Sequence, residues 1–158
     1  MSDKPASDNS ENTPSEYKTI LVAVECSKES EEVLKKAKRL ADSQVGAEVK
    51  ILHVVIDIIA VDWVGMPGQL PPPIDQEELS ESAANYLKPM IEAVGLDPAA
   101  MTMRYGFAAQ EILDEAKETN ADLIIAGSHA RHGLERLLGS TAHKILNLSE
   151  CDVLLVRV

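Results

Sequence analysis

Aromatic residues are scarce in this chain of 158 residues. Phe, Trp and Tyr make up only 3% of it, whereas 45% of the residues are hydrophobic. Val, Ile, Leu and Ala must therefore fill the core, and the length suits one domain that buries a sizeable core. No apolar run approaches the roughly 18 residues that a membrane-spanning helix needs. We therefore expect no membrane span.

Basic residues and cysteines are also few. The 15 Lys and Arg are outnumbered by 26 Asp and Glu, which gives a net charge of -11. This balance disfavours nucleic acid as a partner, since its phosphates attract clustered cations. Cys26 and Cys151 form no CxxC pair, and we interpret both as small buried thiols. No metal site is predicted, because no Cys or carboxylate completes a ligand set with His129, His132 and His143.

The first sixteen residues, MSDKPASDNSENTPSE, differ in composition from the rest of the chain. They are polar, contain two prolines and lack the apolar centre of a signal peptide. We predict a disordered tail over residues 1–16, followed by a single domain over residues 17–158. Without a secretion signal or a membrane span, we expect a cytoplasmic protein.

Apolar runs rich in β-branched residues alternate with amphipathic patterns along this domain. The runs predict strands over residues 19–25, 48–55, 101–106, 122–127 and 152–158. Helices are predicted between them, the first capped by Ser27 and ending by Gly46, and the second beginning near Asp75 after a Pro-rich loop over residues 57–75. Such alternation indicates a parallel sheet with helices on both faces, and ligands bind at the carboxyl ends of its strands.

The segment GSHARHGLERLLGSTAHKIL, residues 127–146, lies between the fourth strand and the last helix. Gly139, Ser140 and Thr141 stand where a helix N-terminus would offer free N–H groups to a phosphate. The same residues also suit a tight connection in which Gly127 ends the strand and Ser140 caps the helix. The pattern is neither a Walker loop nor GxGxxG, so the residues alone leave both interpretations open.

Several motifs in order resemble the universal stress protein family. They are ILVAVE, LHVV, and DLIIAGSHARHGLERLLGSTAHKIL followed by CDVLLVRV. The resemblance runs from about Tyr17 to Val158. It implies a Rossmann-like α/β three-layer sandwich, a five-stranded parallel sheet in the order 3-2-1-4-5, and a homodimer. The apolar last strand independently predicts that contact, since an open sheet edge of this kind normally needs a partner.

In the ATP-binding branch of that family, the phosphate loop reads Gly, two residues, Gly, nine residues, then Gly followed by Ser or Thr. The resemblance maps this pattern onto Gly127, Gly139 and Ser140, with Thr141 beside them. Ala130 stands where the second Gly belongs, and only eight residues separate it from Gly139. A methyl group there makes a left-handed backbone costly. We therefore expect this loop to hold phosphate poorly.

Other positions of the implied nucleotide site lie at strand ends. Glu25 replaces the Asp that usually closes the first strand and contacts the nucleoside, and Cys26 follows where binders often have Gly. Val54, at the end of the second strand, stands where ligands of parallel sheets bind, and Arg131, in the loop, could add positive charge beside a phosphate. His53 precedes Val54, and we interpret it as a hydrogen-bonded structural histidine.

The resemblance thus implies ATP or another adenine nucleotide as the candidate ligand, with weak binding and no metal required by the sequence. We expect a non-enzymatic, dimeric stress-response protein that has a protein partner and no catalytic residue. The alternative is a nucleotide-handling enzyme on the same fold, performing ATP hydrolysis or nucleotidyl transfer. No GxSxG elbow or phosphate-loop lysine is present to support that alternative.

Overall fold

The computed structural model describes residues 17–56, 75–128 and 138–158. The predicted tail and residues 57–74 of the predicted loop lie outside these ranges. In the described residues, strands and helices alternate, with a short 3-10 helix, Pro98–Ala100, before the third strand. Their bounds are β1 (Thr19–Val24), α1 (Ser30–Asp42), β2 (Glu48–Val55), α2 (Gln76–Val94), β3 (Met101–Tyr105), α3 (Ala108–Glu118), β4 (Leu123–Gly127), α4 (Ser140–Leu148) and β5 (Asp152–Val156).

The five strands form one parallel sheet in the order β3-β2-β1-β4-β5, which confirms the predicted fold class. β1 is the central strand, and its Ile20 pairs with Val49 of β2 on one side and with Leu123 of β4 on the other. The chain adds β2 and β3 in one direction and then returns to add β4 and β5 in the other. This reversal leaves a crevice beyond the carboxyl ends of β1 and β4.

Two apolar layers cover the sheet, because successive side chains of a strand point to opposite faces. Ile20 and Val22 of β1 pack with the buried faces of α1 and α2. Leu21, between them, packs on the other face with α3 and α4. All three side chains are completely buried. The result is the predicted three-layer arrangement of helices, sheet and helices.

The start of α1 corrects one prediction, since Ser27 does not cap the helix. Residues from Ser27 onward already form a turn, and the cap position is taken by Glu29, which makes no side-chain capping bond. The Ser30 hydroxyl instead accepts from the Glu25 N–H at 2.9 Å and donates to the Glu25 carbonyl at 2.7 Å. A turn that starts at Ser27 therefore separates β1 from α1, which begins at Ser30.

Other helix boundaries follow local chemistry more closely. The predicted start of α2 near Asp75 is confirmed, and the Asp75 carboxylate caps the helix by accepting from the N–H groups of Glu77 and Glu78. Asn120 adopts a left-handed conformation after α3, with φ of 50°, which Asn tolerates better than most residues. α1, however, ends at Asp42, before Gly46, which adopts φ of 74° in the connection to β2.

Asp122 joins the amino ends of β4 and β1. One of its carboxylate oxygens accepts from the backbone N–H of Lys18 and of Thr19, each at 2.9 Å. These backbone hydrogen bonds lower the pKa of Asp122. The charged form of this side chain therefore stabilises the register of the central strand pair.

We expect Asp122→Ala to lower the free energy of unfolding at pH 7 by about 1 kcal/mol, a modest value because the group is exposed. A depressed folded-state pKa contributes stability above the ordinary value of 3.8, and that contribution is lost as pH falls through the folded value. Urea unfolding from pH 7 to 3 should therefore show the two proteins converging. Exposed Glu81→Ala on α2 serves as the control, and a difference independent of pH would contradict the assignment.

Candidate functional site: a cleft at the carboxyl ends of the strands

A cleft of about 1070 Å³ opens at the carboxyl edge of the sheet. Its floor is formed by the ends of β1, β2 and β4, and its sides by the β1–α1 connection, α2 and the start of α4. Leu52, Val54 and Ile112 contribute buried apolar surface. The cleft therefore lies at the crevice that the reversed strand order creates.

Six of the eight predicted nucleotide-site residues border this cleft. They come from four separate segments of the chain and are Glu25, Val54, Gly127, Gly139, Ser140 and Thr141. The other two, Ala130 and Arg131, lie outside the described residues. The fold thus brings together residues that are more than a hundred positions apart in the sequence.

The N-terminus of α4 is part of the cleft wall. Gly139 occupies the cap position and, having no side chain, makes no side-chain capping bond. Ser140 is the first helical residue, so the alternative in which Ser140 caps this helix is wrong. The first backbone N–H groups of a helix have no acceptor within it, and the helix dipole places partial positive charge there. Such an end is suited to an anion.

The charged side chains that border the cleft in the described part of the chain are acidic. Glu25 and Glu29 border it, whereas no Lys or Arg does so among residues 17–56, 75–128 and 138–158. The favourable end of α4 therefore faces a cleft whose described side chains repel additional negative charge.

Cys26 and His53 form a contact that the sequence analysis did not assign to the site. The Nδ1 atom of His53 lies 2.9 Å from the carbonyl oxygen of Val24, and its Nε2 atom lies 3.7 Å from the Cys26 sulfur. A carbonyl can only accept, so Nδ1 carries the proton and Nε2 presents a lone pair to the thiol. His53 is buried and hydrogen-bonded, as predicted.

The prediction that both cysteines are buried is wrong. Cys26 is exposed and Cys151 is half-buried. Cys26 follows Glu25 beyond the end of β1, where the chain has left the covered part of the sheet. Partial burial and the neighbouring Glu25 carboxylate raise the pKa of the Cys26 thiol. The strand register explains the contact between Cys26 and His53. Val24 of β1 pairs with His53 of β2, and Cys26 comes two residues after Val24.

Ser27 supplies a further polar group at the cleft. Its hydroxyl oxygen is buried, yet it has no hydrogen-bond partner in the described part of the protein. Ser27 also borders the cleft. A buried hydroxyl without a partner is costly, so this oxygen stands to gain from any polar ligand group within reach.

The described ranges contain no group of three or more His, Cys, Asp or Glu side chains arranged to hold a metal ion. Among the described helices, none is both long and apolar enough to cross a membrane.

The fold and the cleft define a Rossmann-like α/β protein with its candidate site at the reversal of strand order. The model of the universal stress protein family matches residues 16–157. A relative from Coxiella burnetii, universal stress protein A homolog 1, is 32% identical over 143 residues, covering 89% of this chain and 96% of the relative. The chain therefore belongs to the universal stress protein family.

Solved structures show the same fold. A universal stress protein in complex with cAMP is 21% identical, with a TM-score of 0.62, covering 90% of this chain and 98% of that one. The universal stress protein from Archaeoglobus fulgidus in complex with dAMP is 20% identical, with a TM-score of 0.55, covering 88% and 97%. At these identities the similarity establishes the architecture.

Proposed function

We propose that this chain is a non-enzymatic, dimeric stress-response protein of the cytoplasm whose cleft binds an adenine nucleotide weakly. The observation that carries this proposal is the meeting of Glu25, Val54, Gly127 and the α4 N-terminus in one cleft. Two proteins of the same architecture are in complex with the adenine nucleotides cAMP and dAMP.

The cleft offers a chemically suitable surface for each part of such a ligand. Its apolar walls, including Val54 and Leu52, suit a base, and the α4 N-terminus suits a phosphate. The unpartnered hydroxyl of Ser27 suits a sugar or phosphate oxygen. The ligand would thus satisfy a polar group that the described residues leave unsatisfied.

Electrostatics supports weak binding of ATP in particular. Each additional phosphate brings negative charge towards the carboxylates of Glu25 and Glu29, which border the cleft. Ala130 and the shortened loop weaken the phosphate site further, because backbone N–H contacts depend on the loop's geometry. A nucleotide with fewer charges, such as AMP or cAMP, is therefore expected to bind better than ATP.

Calorimetry with AMP, cAMP and ATP tests this proposal. Glu25→Gln keeps the size of the side chain and one acceptor oxygen but removes its charge. We expect it to strengthen ATP binding several-fold, or by about 0.5–1 kcal/mol, and AMP binding less. Exposed Glu92→Gln on α2, outside the cleft, should change neither. Wild-type binding that is tighter for ATP than for AMP, or absence of binding by all three, would count against the proposal.

The non-enzymatic part of the proposal needs its own measurement. Incubation with ATP and Mg²⁺, followed by product analysis, should show conversion no faster than the uncatalysed background. Sustained turnover that disappears in Ser140→Ala, which alters the start of α4, would instead favour the alternative nucleotide-handling enzyme.

The edge strand β5 supports the dimeric part of the proposal. Its Val153, Leu154, Leu155 and Val156 are only half-buried, and among the described strands β5 pairs with β4 alone. The Asp152 N–H donates to the Asp122 carbonyl, and the Val156 carbonyl accepts from Ser128. The direction of the backbone N–H and C=O groups alternates from one residue to the next along a strand. Those of Leu154 therefore also point to β4, whereas those of Val153 and Leu155 point to the open edge.

We therefore expect Leu155→Pro to disrupt the dimer and leave the protomer folded, because Pro is tolerated where the lost N–H points away from the sheet. Leu154→Pro is the matched control, and it should destabilise the fold itself by removing a bond to β4. Light scattering and circular dichroism across a concentration series would measure both effects. A monomeric wild-type protein, or a Leu155→Pro dimer as stable as wild type, would overturn the proposed contact.

A further inference from the structure

Cys26 differs from an isolated surface cysteine in two respects. Its side chain is exposed and borders the cleft, so a small reagent can reach it. Its sulfur also faces Nε2 of His53 at 3.7 Å. The half-buried Cys151 lies near the amino end of β5, where its sulfur is 3.4 Å from the Ser149 hydroxyl.

The orientation of His53 determines which of its nitrogen atoms can act on the thiol. The hydrogen bond from Nδ1 to the Val24 carbonyl holds the ring and keeps the proton on Nδ1. Nε2 is then a proton acceptor directed at Cys26. A thiol beside an oriented imidazole is the arrangement that activates cysteine nucleophiles.

We propose that Cys26 is a modification site that reacts with low-molecular-weight disulfides, with His53 as its base, and that the resulting mixed disulfide obstructs the cleft. The first half of the proposal stands on the contact between the two side chains. The second half rests on the nucleotide binding proposed above, because it concerns the same cleft.

The exchange is balanced without any further oxidant. Nε2 of His53 takes the thiol proton, and the Cys26 sulfur attacks one sulfur of the incoming disulfide. The new sulfur–sulfur bond forms as the old one breaks, and the leaving thiolate takes the proton back from the imidazole. The protein sulfur is oxidised to the mixed disulfide while the departing half of the reagent is reduced to a free thiol.

The surroundings of Cys26 make a base necessary. Among the described residues that border the cleft, the titratable side chains besides Cys26 are Glu25, Glu29, His53 and Tyr86. Burial and Glu25 raise the pKa of the Cys26 thiol, so the thiol holds its proton at neutral pH and the free thiolate is rare. Removal of that proton by His53 overcomes this disadvantage.

Exchange kinetics with dithiodipyridine, a neutral disulfide that releases an absorbing product, test the first half. Cys151→Ser leaves Cys26 as the reporter, and Cys26→Ser reports on Cys151. Adding His53→Asn to Cys151→Ser keeps a donor for the Val24 carbonyl but removes the base. We expect the Cys26 rate to fall about tenfold or more, with the fold retained by circular dichroism. An unchanged rate in the folded double variant would overturn the role of His53.

A second test compares the exchange rate of Cys26 in the native and the unfolded protein. It does not depend on whether the His53→Asn variant folds. The Cys151→Ser protein should react faster when native than when unfolded in urea, because only the native state holds His53 against Cys26. A native rate at or below the unfolded rate would also overturn the proposal.

The second half is tested with the glutathione mixed disulfide of Cys151→Ser, verified by its mass. Calorimetry with AMP should show at least a tenfold loss of affinity relative to the unmodified protein, restored by reduction. Cys26→Ser treated in the same way should bind AMP like untreated Cys26→Ser. Equal affinity before and after modification would overturn the obstruction. If neither form binds AMP while exchange at Cys26 is fast, the nucleotide proposal and the obstruction of its site fail and the modification site stands.

Discussion

The position of β1 between β2 and β4 is the constraint on which the rest of the structure depends. Ile20, Leu21 and Val22 are completely buried because helices cover both faces of this strand. Since all five strands are parallel, their carboxyl ends meet at one edge of the sheet. That geometry brings the residues after β1, β2 and β4 into one cleft, whatever their separation in sequence.

The cleft combines features that support the proposed weak, rather than tight, binding of a nucleotide. The α4 N-terminus offers unpaired N–H groups, and Ser27 offers a buried hydroxyl. Against these stand the carboxylates of Glu25 and Glu29. The same wall holds Cys26 against His53, so a chemically modifiable group lies within the proposed binding site. The two proposals together predict that occupancy of this site responds to the thiol–disulfide balance as well as to nucleotide concentration.

The sequence predicted the layers well because burial on both faces leaves a clear pattern. The β-branched runs located all five strands to within one or two residues. The strand order came from the family resemblance, since periodicity alone does not determine which strands are neighbours. The residues brought to the cleft followed from that order and from the rule that ligands bind at carboxyl ends.

The predictions that failed depend on contacts that a linear pattern does not contain. Serine is a residue type that commonly caps helices, which is why Ser27 was predicted as the cap. In the structure, Ser30 instead forms hydrogen bonds to the backbone of Glu25, just after β1. Cys26 lies beside a buried strand, yet it is exposed because the chain turns away there. Its contact with His53 requires the register of β1 against β2.

The most direct measurement of binding at this cleft is an amide chemical-shift titration with AMP. We expect the largest shifts at Glu25–Ser27, Val54, Gly127 and Gly139–Thr141; shifts elsewhere only, or none at saturating AMP, would contradict a nucleotide site in this cleft.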